Sequence, residues 1–171
     1  SPRRKSLLIE MGYSFEIRVS DAEESYDEQM NVYEVAPYLA RLKADSLFYE
    51  LQGEEILICC DTVVIHKGFI LGKPSNTDEA IRTIENLSGE VHEVMSAVAM
   101  FHNGKWIEFH EITKIEFDSI KKEDIEYYVK HLKPFDKAGS YGIQEWIGLI
   151  GVKRIEGSYS NVIGLPTQKL Y

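Results

Sequence analysis

Apolar positions recur along this chain at two spacings, and the changes of spacing mark out its elements. Ser1 as N-cap, Pro2 at a first helical position, Leu7, Leu8 and Met11 on one face and Gly12 as a stop predict a short opening helix. Residues 13–19 alternate and predict a strand. Pro37 at a first-turn position opens a second helix over 37–51, with Leu39, Ala40, Leu47 and Leu51 on one face. The most apolar run of the chain, Ile56-Leu57-Ile58-Cys59-Cys60-Asp61-Thr62-Val63-Val64-Ile65, then predicts a buried strand. A helix from Thr77 carries Ala80, Ile81, Ile84 and Leu87 inward and ends near Gly89. Alternating residues 93–102 and 105–117 flank Asn103-Gly104, a strong hairpin signal. Residues 121–132 give another amphipathic helix, stopped before Pro134, and residues 146–155 predict a strand after a glycine-rich loop.

The candidate chemistry sits where this pattern is broken. Asp61 lies at the centre of the apolar run, and an unpartnered carboxylate there would cost several kcal/mol or neutralise. Either the strand ends at Cys60 and Asp61 is exposed in a turn, or Asp61 is a general base at a strand end. Arg3 and Arg4 oppose the macrodipole of the opening helix; with the Ser1 hydroxyl and free backbone N–H groups they could converge on a phosphate, or form a solvated basic end. Lys43 falls on the apolar face of the second helix, where it either snorkels to water or reaches into a cleft as a point charge. Lys73, held in extended backbone by Pro74, is a second phosphate candidate. The acidic segment 21–28, with Glu24 in its middle, reads as a solvated loop or as one or two carboxylates for Mg²⁺. His92, His102 and His110 fall on hairpin strands and read as surface residues. The polar loop 135–144 and the stretch 157–166 alternate small and polar residues, as a loop beside a ligand or a long surface loop would.

Composition narrows the classes. The chain has 171 residues, enough for one domain, and 44% hydrophobic residues, ordinary for a soluble protein. A net charge of −9 argues against a surface that tracks long nucleic acid. No apolar run is long enough to cross a membrane and no signal-peptide pattern is present. The two cysteines are adjacent, so no structural disulfide is expected, in keeping with a cytoplasmic protein.

Taken together and in order, Ser1-Pro2-Arg3-Arg4, Asp61-Thr62-Val63-Val64, Gly72-Lys73-Pro74, Leu87-Ser88-Gly89 with His92-Glu93-Val94, the run from Asp136 to Gln144, and Gly157-Ser158-Tyr159 through Asn161-Val162-Ile163-Gly164-Leu165-Pro166 resemble the successive motifs of the Maf family over nearly the whole chain. The resemblance implies an α/β fold, similar to inosine triphosphate pyrophosphatases, with a mixed central β-sheet, flanking helices and two lobes around a deep cleft. It implies a single domain over residues 1–171, trimmed of an N-terminal strand and a C-terminal helix. It further implies a nucleoside triphosphate pyrophosphatase that cleaves the α–β bond with a divalent metal, Mg²⁺ or Mn²⁺. By motif position Asp61 matches the catalytic proton acceptor, Glu24 a cleft carboxylate, and Lys43 and Lys73 the phosphate-handling lysines. Asp61 and Glu24 are the candidate metal ligands. Arg3, Thr62 and Gln144 match positions associated with base choice and resemble the branch acting on dTTP and UTP, while Ser1 and Arg4 join them as substrate-binding candidates. The homodimer is the oligomer compatible with this reading. A non-catalytic, nucleotide-binding regulator of septum formation is the alternative. Cys59-Cys60, standing where small residues are more usual, is expected to alter packing only.

Overall fold

The computed structural model describes residues 1–171 throughout. Its frame is a five-stranded sheet in the order β2-β1-β3-β4-β5, antiparallel at every pairing, built from β1 (Leu57–His66), β2 (Phe69–Leu71), β3 (Val91–His102), β4 (Lys105–Phe117) and β5 (Val152–Glu156). Asn103, with φ of 47°, and Gly104, with φ of 73°, supply the turn that the hairpin needs, and β3 and β4 then pair from His102↔Lys105 down to Val91↔Glu116. An α/β fold with a central sheet between helices is therefore what forms, the sheet being wholly antiparallel where a mixed one was expected, because no helix-crossover joins neighbouring strands in parallel.

Strand periodicity divides the core in two. Cys59, Val63 and Ile65 of β1 and Met95, Ala97 and Ala99 of β3 face α2 (Val32–Leu47), whose Val35, Ala36, Leu39, Ala40, Ala44 and Leu47 are buried against them. On the opposite face Val64, Val94, Ile115 and Phe117 pack under α3 (Thr77–Leu87), α4 (Lys122–Leu132), α5 (Trp146–Gly151) and α6 (Tyr159–Ile163). The helix α1 (Pro2–Glu10) lies on this second face through Leu7 and Leu8, beside Cys60 and Leu165. A last short helix, α7 (Thr167–Leu170), follows.

Four further expectations are corrected. Residues 13–19 form no strand: the alternation is real, but Tyr13, Phe15, Ile17 and Val19 are exposed and have no ladder partner. Pro37 lies inside α2 rather than at its start, which falls at Val32 behind the Asn31 side chain accepting from the Tyr33 N–H. The cost is one helical hydrogen bond to the Tyr33 carbonyl. Residues 146–151 are helical, and only Val152–Glu156 pairs as a strand, with β4. His92 is not at the surface: it is 1% exposed, edge-on to Phe117 and Tyr141, with its Nε2 2.7 Å from the Tyr141 hydroxyl.

Candidate active site

The strand β1 continues past Asp61 to His66, so Asp61 is neither in a turn nor at a strand end but mid-strand, opposite Ala97. On its other side β2 pairs only with Val64, Ile65 and His66, which leaves β1 without a strand neighbour at Asp61 and Thr62. That open edge is what lets a polar site exist inside the most apolar strand of the chain. Successive residues point to opposite faces, so Asp61 and Thr62 each meet a different partner.

Asp61 points to the α2 side, where Lys43 waits among apolar neighbours. The Lys43 ammonium sits 2.5 Å from Asp61 Oδ1 and 3.0 Å from Glu24 Oε2. The Lys43 and Asp61 side chains retain only 15% and 12% of their exposure, whereas Glu24 keeps about half of its own. Burial alone would lower the lysine's pKa, but the Asp61 charge and the bonds from Asp61 and Glu24 outweigh it and raise the pKa above the ordinary lysine range. Lys43 is therefore a fixed cation that does not snorkel, with two of its three N–H donors engaged. The acidic segment is otherwise exposed loop, and Glu24 is the residue it contributes here.

Thr62 points to the other side. Its Oγ1 accepts from Arg4 Nη2 at 2.9 Å and lies 2.8 Å from the Ser96 hydroxyl, while Arg4 Nε donates to the Gly164 carbonyl at 2.8 Å. Gly164, with φ of 124°, turns the end of α6 so that its carbonyl faces inward, a conformation that L side chains rarely adopt. Ser96 is in turn fixed by Asn161, which accepts from the Ser96 N–H and hydroxyl and donates to the Val94 carbonyl and Thr113. All of Arg4's partners are neutral, so a partly buried guanidinium stands with no carboxylate within ion-pair distance. A charge held in this way attracts an anion.

Arg3 and Gln144 share a third piece of the site, a cleft of about 350 Å³ lined also by Ser6, Leu7, Tyr159 and Ser160. Arg3 pairs with Asp136 at 3.3 Å, and Asp136 also accepts from Lys137 at 2.6 Å. Burial works against it, yet the Lys137 bond and charge, followed by the Arg3 charge, hold the Asp136 carboxyl below the usual carboxylate range. Ser1 adds no capping bond; it opens the first turn of α1, which carries both Arg3 and Arg4 and so adjoins the second and third pieces. Lys73 stands apart: it is exposed and makes no hydrogen bond or ion pair with the others. Its segment is tied down only next door, where Gly139 N–H donates to the Gly72 carbonyl at 3.1 Å.

The family model for Maf-like proteins matches residues 1–171. The chain belongs to the Maf family. Among curated proteins this Maf chain is 43% identical to a dTTP/UTP pyrophosphatase of Flavobacterium johnsoniae, over 171 residues that cover all of it and 88% of the relative. It is 42% identical to one of Phocaeicola vulgatus and 44% identical to one of Parabacteroides distasonis, each over all of the chain and 89% of the relative.

Some of what the site uses was not evident beforehand. Lys137 is buried, and Ser96 and Asn161 sit behind Thr62; Lys137 and Asn161 lie within the motifs of the sequence but carried no assigned role there, and Ser96 did not stand out at all. For Lys137 a signal existed, a lysine in the middle of a small-residue loop, but for Ser96 only the register Thr62↔Ser96 reveals the role. For a divalent metal the chain offers few donors: no group of three or more His, Cys, Asp and Glu side chains gathers anywhere. Asp61 and Glu24 converge on the Lys43 ammonium, and carboxylate oxygens of each not bonded to it are of the type that Mg²⁺ takes from a protein when substrate phosphates complete its shell. No helix is long and apolar enough to cross a membrane.

Proposed function

We propose that this protein is a nucleoside triphosphate pyrophosphatase acting on dTTP and UTP, releasing the nucleoside monophosphate and pyrophosphate. The observation that carries the reading is the open edge of β1, where a carboxylate is flanked by Lys43 on one face and an anion-seeking Arg4 on the other. The names of the relatives supply the substrate class.

Phosphoryl transfer calls for charge neutralisation and an in-line nucleophile. Arg4 lacks a counter-ion and binds the triphosphate; Lys43 has one N–H donor left for a phosphate oxygen. Lys73, exposed and unpaired, is free to meet the leaving pyrophosphate when substrate is bound. Asp61 orients the attacking water at the α-phosphorus and accepts its proton. Glu24 shares Lys43 with Asp61 and keeps that ammonium in place. Asp61 and Glu24 would hold a divalent cation, Mg²⁺ or Mn²⁺, which supplies charge neutralisation on the phosphates. Gln144 offers a donor and an acceptor to one edge of uracil or thymine, with Arg3 across the cleft and Thr62 fixing Arg4 behind it. Cys59 and Cys60 are both buried free thiols, which suits a reducing, cytoplasmic setting.

The test is pyrophosphate release from dTTP, UTP, CTP, ATP, GTP, ITP and 7-methyl-GTP with Mg²⁺ or Mn²⁺. Turnover led by dTTP and UTP is expected; turnover of none of them, by folded protein, refutes the proposal.

A further inference from the structure

Gln144 and Arg3 face one cleft from separate parts of the chain, so something must fix the distance between them. Gln144 sits in a tight turn closed by the Glu145 N–H donating to the Gly142 carbonyl at 3.0 Å. That turn is pinned from α4. The Tyr128 hydroxyl donates to Glu145 Oε2 and accepts from the Gly142 N–H at 3.1 Å, gripping the turn on both sides of Gln144. The other oxygen, Glu145 Oε1, lies 3.1 Å from Lys137 Nζ, and Lys137 holds Asp136 at 2.6 Å, which in turn holds Arg3. A continuous polar chain thus runs from Tyr128 through Glu145, Lys137 and Asp136 to Arg3, and both cleft residues hang from it.

The part of this chain that grips the turn is shielded from water, while its last link to Arg3 is at the surface. Tyr128 is wholly buried, the Lys137 side chain is 10% exposed and the Glu145 side chain 26%, whereas the Asp136 side chain is 64% exposed. Packing alone does not require the buried polar groups, and hydrogen-bonded polar groups shielded from water rigidify what they touch. Gly142 is fitted to the same purpose, since a Cβ there would fall 2.8 Å from Glu145 Cδ and push that carboxylate off Tyr128.

We infer that Tyr128 is a positioning residue for base selection, holding the Gln144 turn at a set distance from Arg3 through Glu145, Lys137 and Asp136. It touches no substrate; it acts through Gln144. The inference rests on the reading of Gln144 as the base-recognising residue. Its consequence is specific: loosening the clamp degrades recognition of the base and leaves the chemistry at Asp61, which faces α2 on the other side of the sheet and makes no contact with the clamp, unaffected.

The test compares wild type, Tyr128→Phe, Glu145→Ala, Glu145→Gln and Gln144→Ala with dTTP, UTP and CTP as substrates. Tyr128→Phe removes only a hydroxyl. It is expected to raise KM for dTTP about five-fold or more, to leave kcat within two-fold, and to narrow the preference for dTTP over CTP toward that of Gln144→Ala. Glu145→Ala, at a partly exposed position, gives the same pattern should Tyr128→Phe fold poorly. Glu145→Gln keeps an acceptor for the Tyr128 hydroxyl and recovers much of the preference. Loss of base preference in Gln144→Ala, but in neither Tyr128→Phe nor Glu145→Ala, overturns the positioning role alone. Unchanged preference in all of them overturns the reading of Gln144 and the positioning role with it. A fall in kcat of equal size for every nucleotide, with preference intact, also overturns the inference.

Discussion

Replacing Lys43 by Met keeps its length and apolar stem but removes the one cation that Asp61 and Glu24 share. Breaking a fully buried ion pair by deleting one partner costs roughly 3–5 kcal/mol, because the remaining charge is stranded. Here the Asp61 side chain keeps 12% of its exposure and stands on an open strand edge, and Glu24 is half exposed and can turn to water. Solvent screening therefore reduces the expected loss to about 2 kcal/mol at neutral pH. The pH dependence follows from Lys43: its pKa is raised in the folded protein, so the stability it contributes is complete below the ordinary lysine value of 10.5 and is lost only as the pH rises through the raised value. The deficit of the variant is therefore level from pH 7 to pH 9. Urea titrations of both proteins at pH 7, 8 and 9 measure it, and turnover is lost over the whole range. A Lys43→Met protein as stable as wild type at pH 7, or one whose deficit vanishes by pH 9, would refute the pairing of Lys43 with Asp61 and Glu24.

Two further predictions rest on other parts of the fold. Burial lowers the His92 pKa from its ordinary 6.5 to about 3, with the nearby His66 acting in the same direction. The stability of keeping it neutral is complete above pH 6.5 and falls by up to about 1.4 kcal/mol per unit as the pH drops toward 3. Proton NMR should show the His92 ring untitrated at pH 5 in folded protein, and a midpoint near 6.5 would contradict its burial. Gly164→Ala forces a side chain onto a residue with φ of 124°, which should cost about 1–3 kcal/mol and misplace the carbonyl that holds Arg4. Nucleotide affinity should fall with stability, and a variant with unaltered melting and affinity would show that Gly164 is not needed there.

The sheet was legible wherever one strand or hairpin carried its own signal. The apolar run around Asp61 became β1, and Asn103-Gly104 placed β3 and β4 within two residues of their bounds. What local pattern could not show was partnership. Residues 13–19 alternate like a strand, yet alternation says nothing of whether a neighbour is present to accept the hydrogen bonds. Pro37 looked like a helix start because proline is usually excluded later; Asn31 followed by Glu34, the spacing of a capping box, was the better signal. His92 carries a polar side chain on a strand, and only the fold reveals Phe117 and Tyr141 packed around it. At the site, Asp61, Lys43 and Glu24 come together, as do Arg4 with Thr62 and Arg3 with Gln144, although Lys73 remains separate. The polar chain from Tyr128 to Asp136 was invisible for a simple reason: its members are ordinary residues whose meaning lies in what they touch.

The measurement that bears most directly on the central claim is pyrophosphate release from dTTP by wild type and by Asp61→Asn, beside nucleotide binding by each. Asparagine keeps the shape and a hydrogen bond to Lys43 but cannot accept the proton of an attacking water. Wild type should release pyrophosphate rapidly and the variant should lose about a hundred-fold or more, with nucleotide still bound. Release at an undiminished rate from the variant would contradict the role of Asp61, because water activation would then lie with some other group.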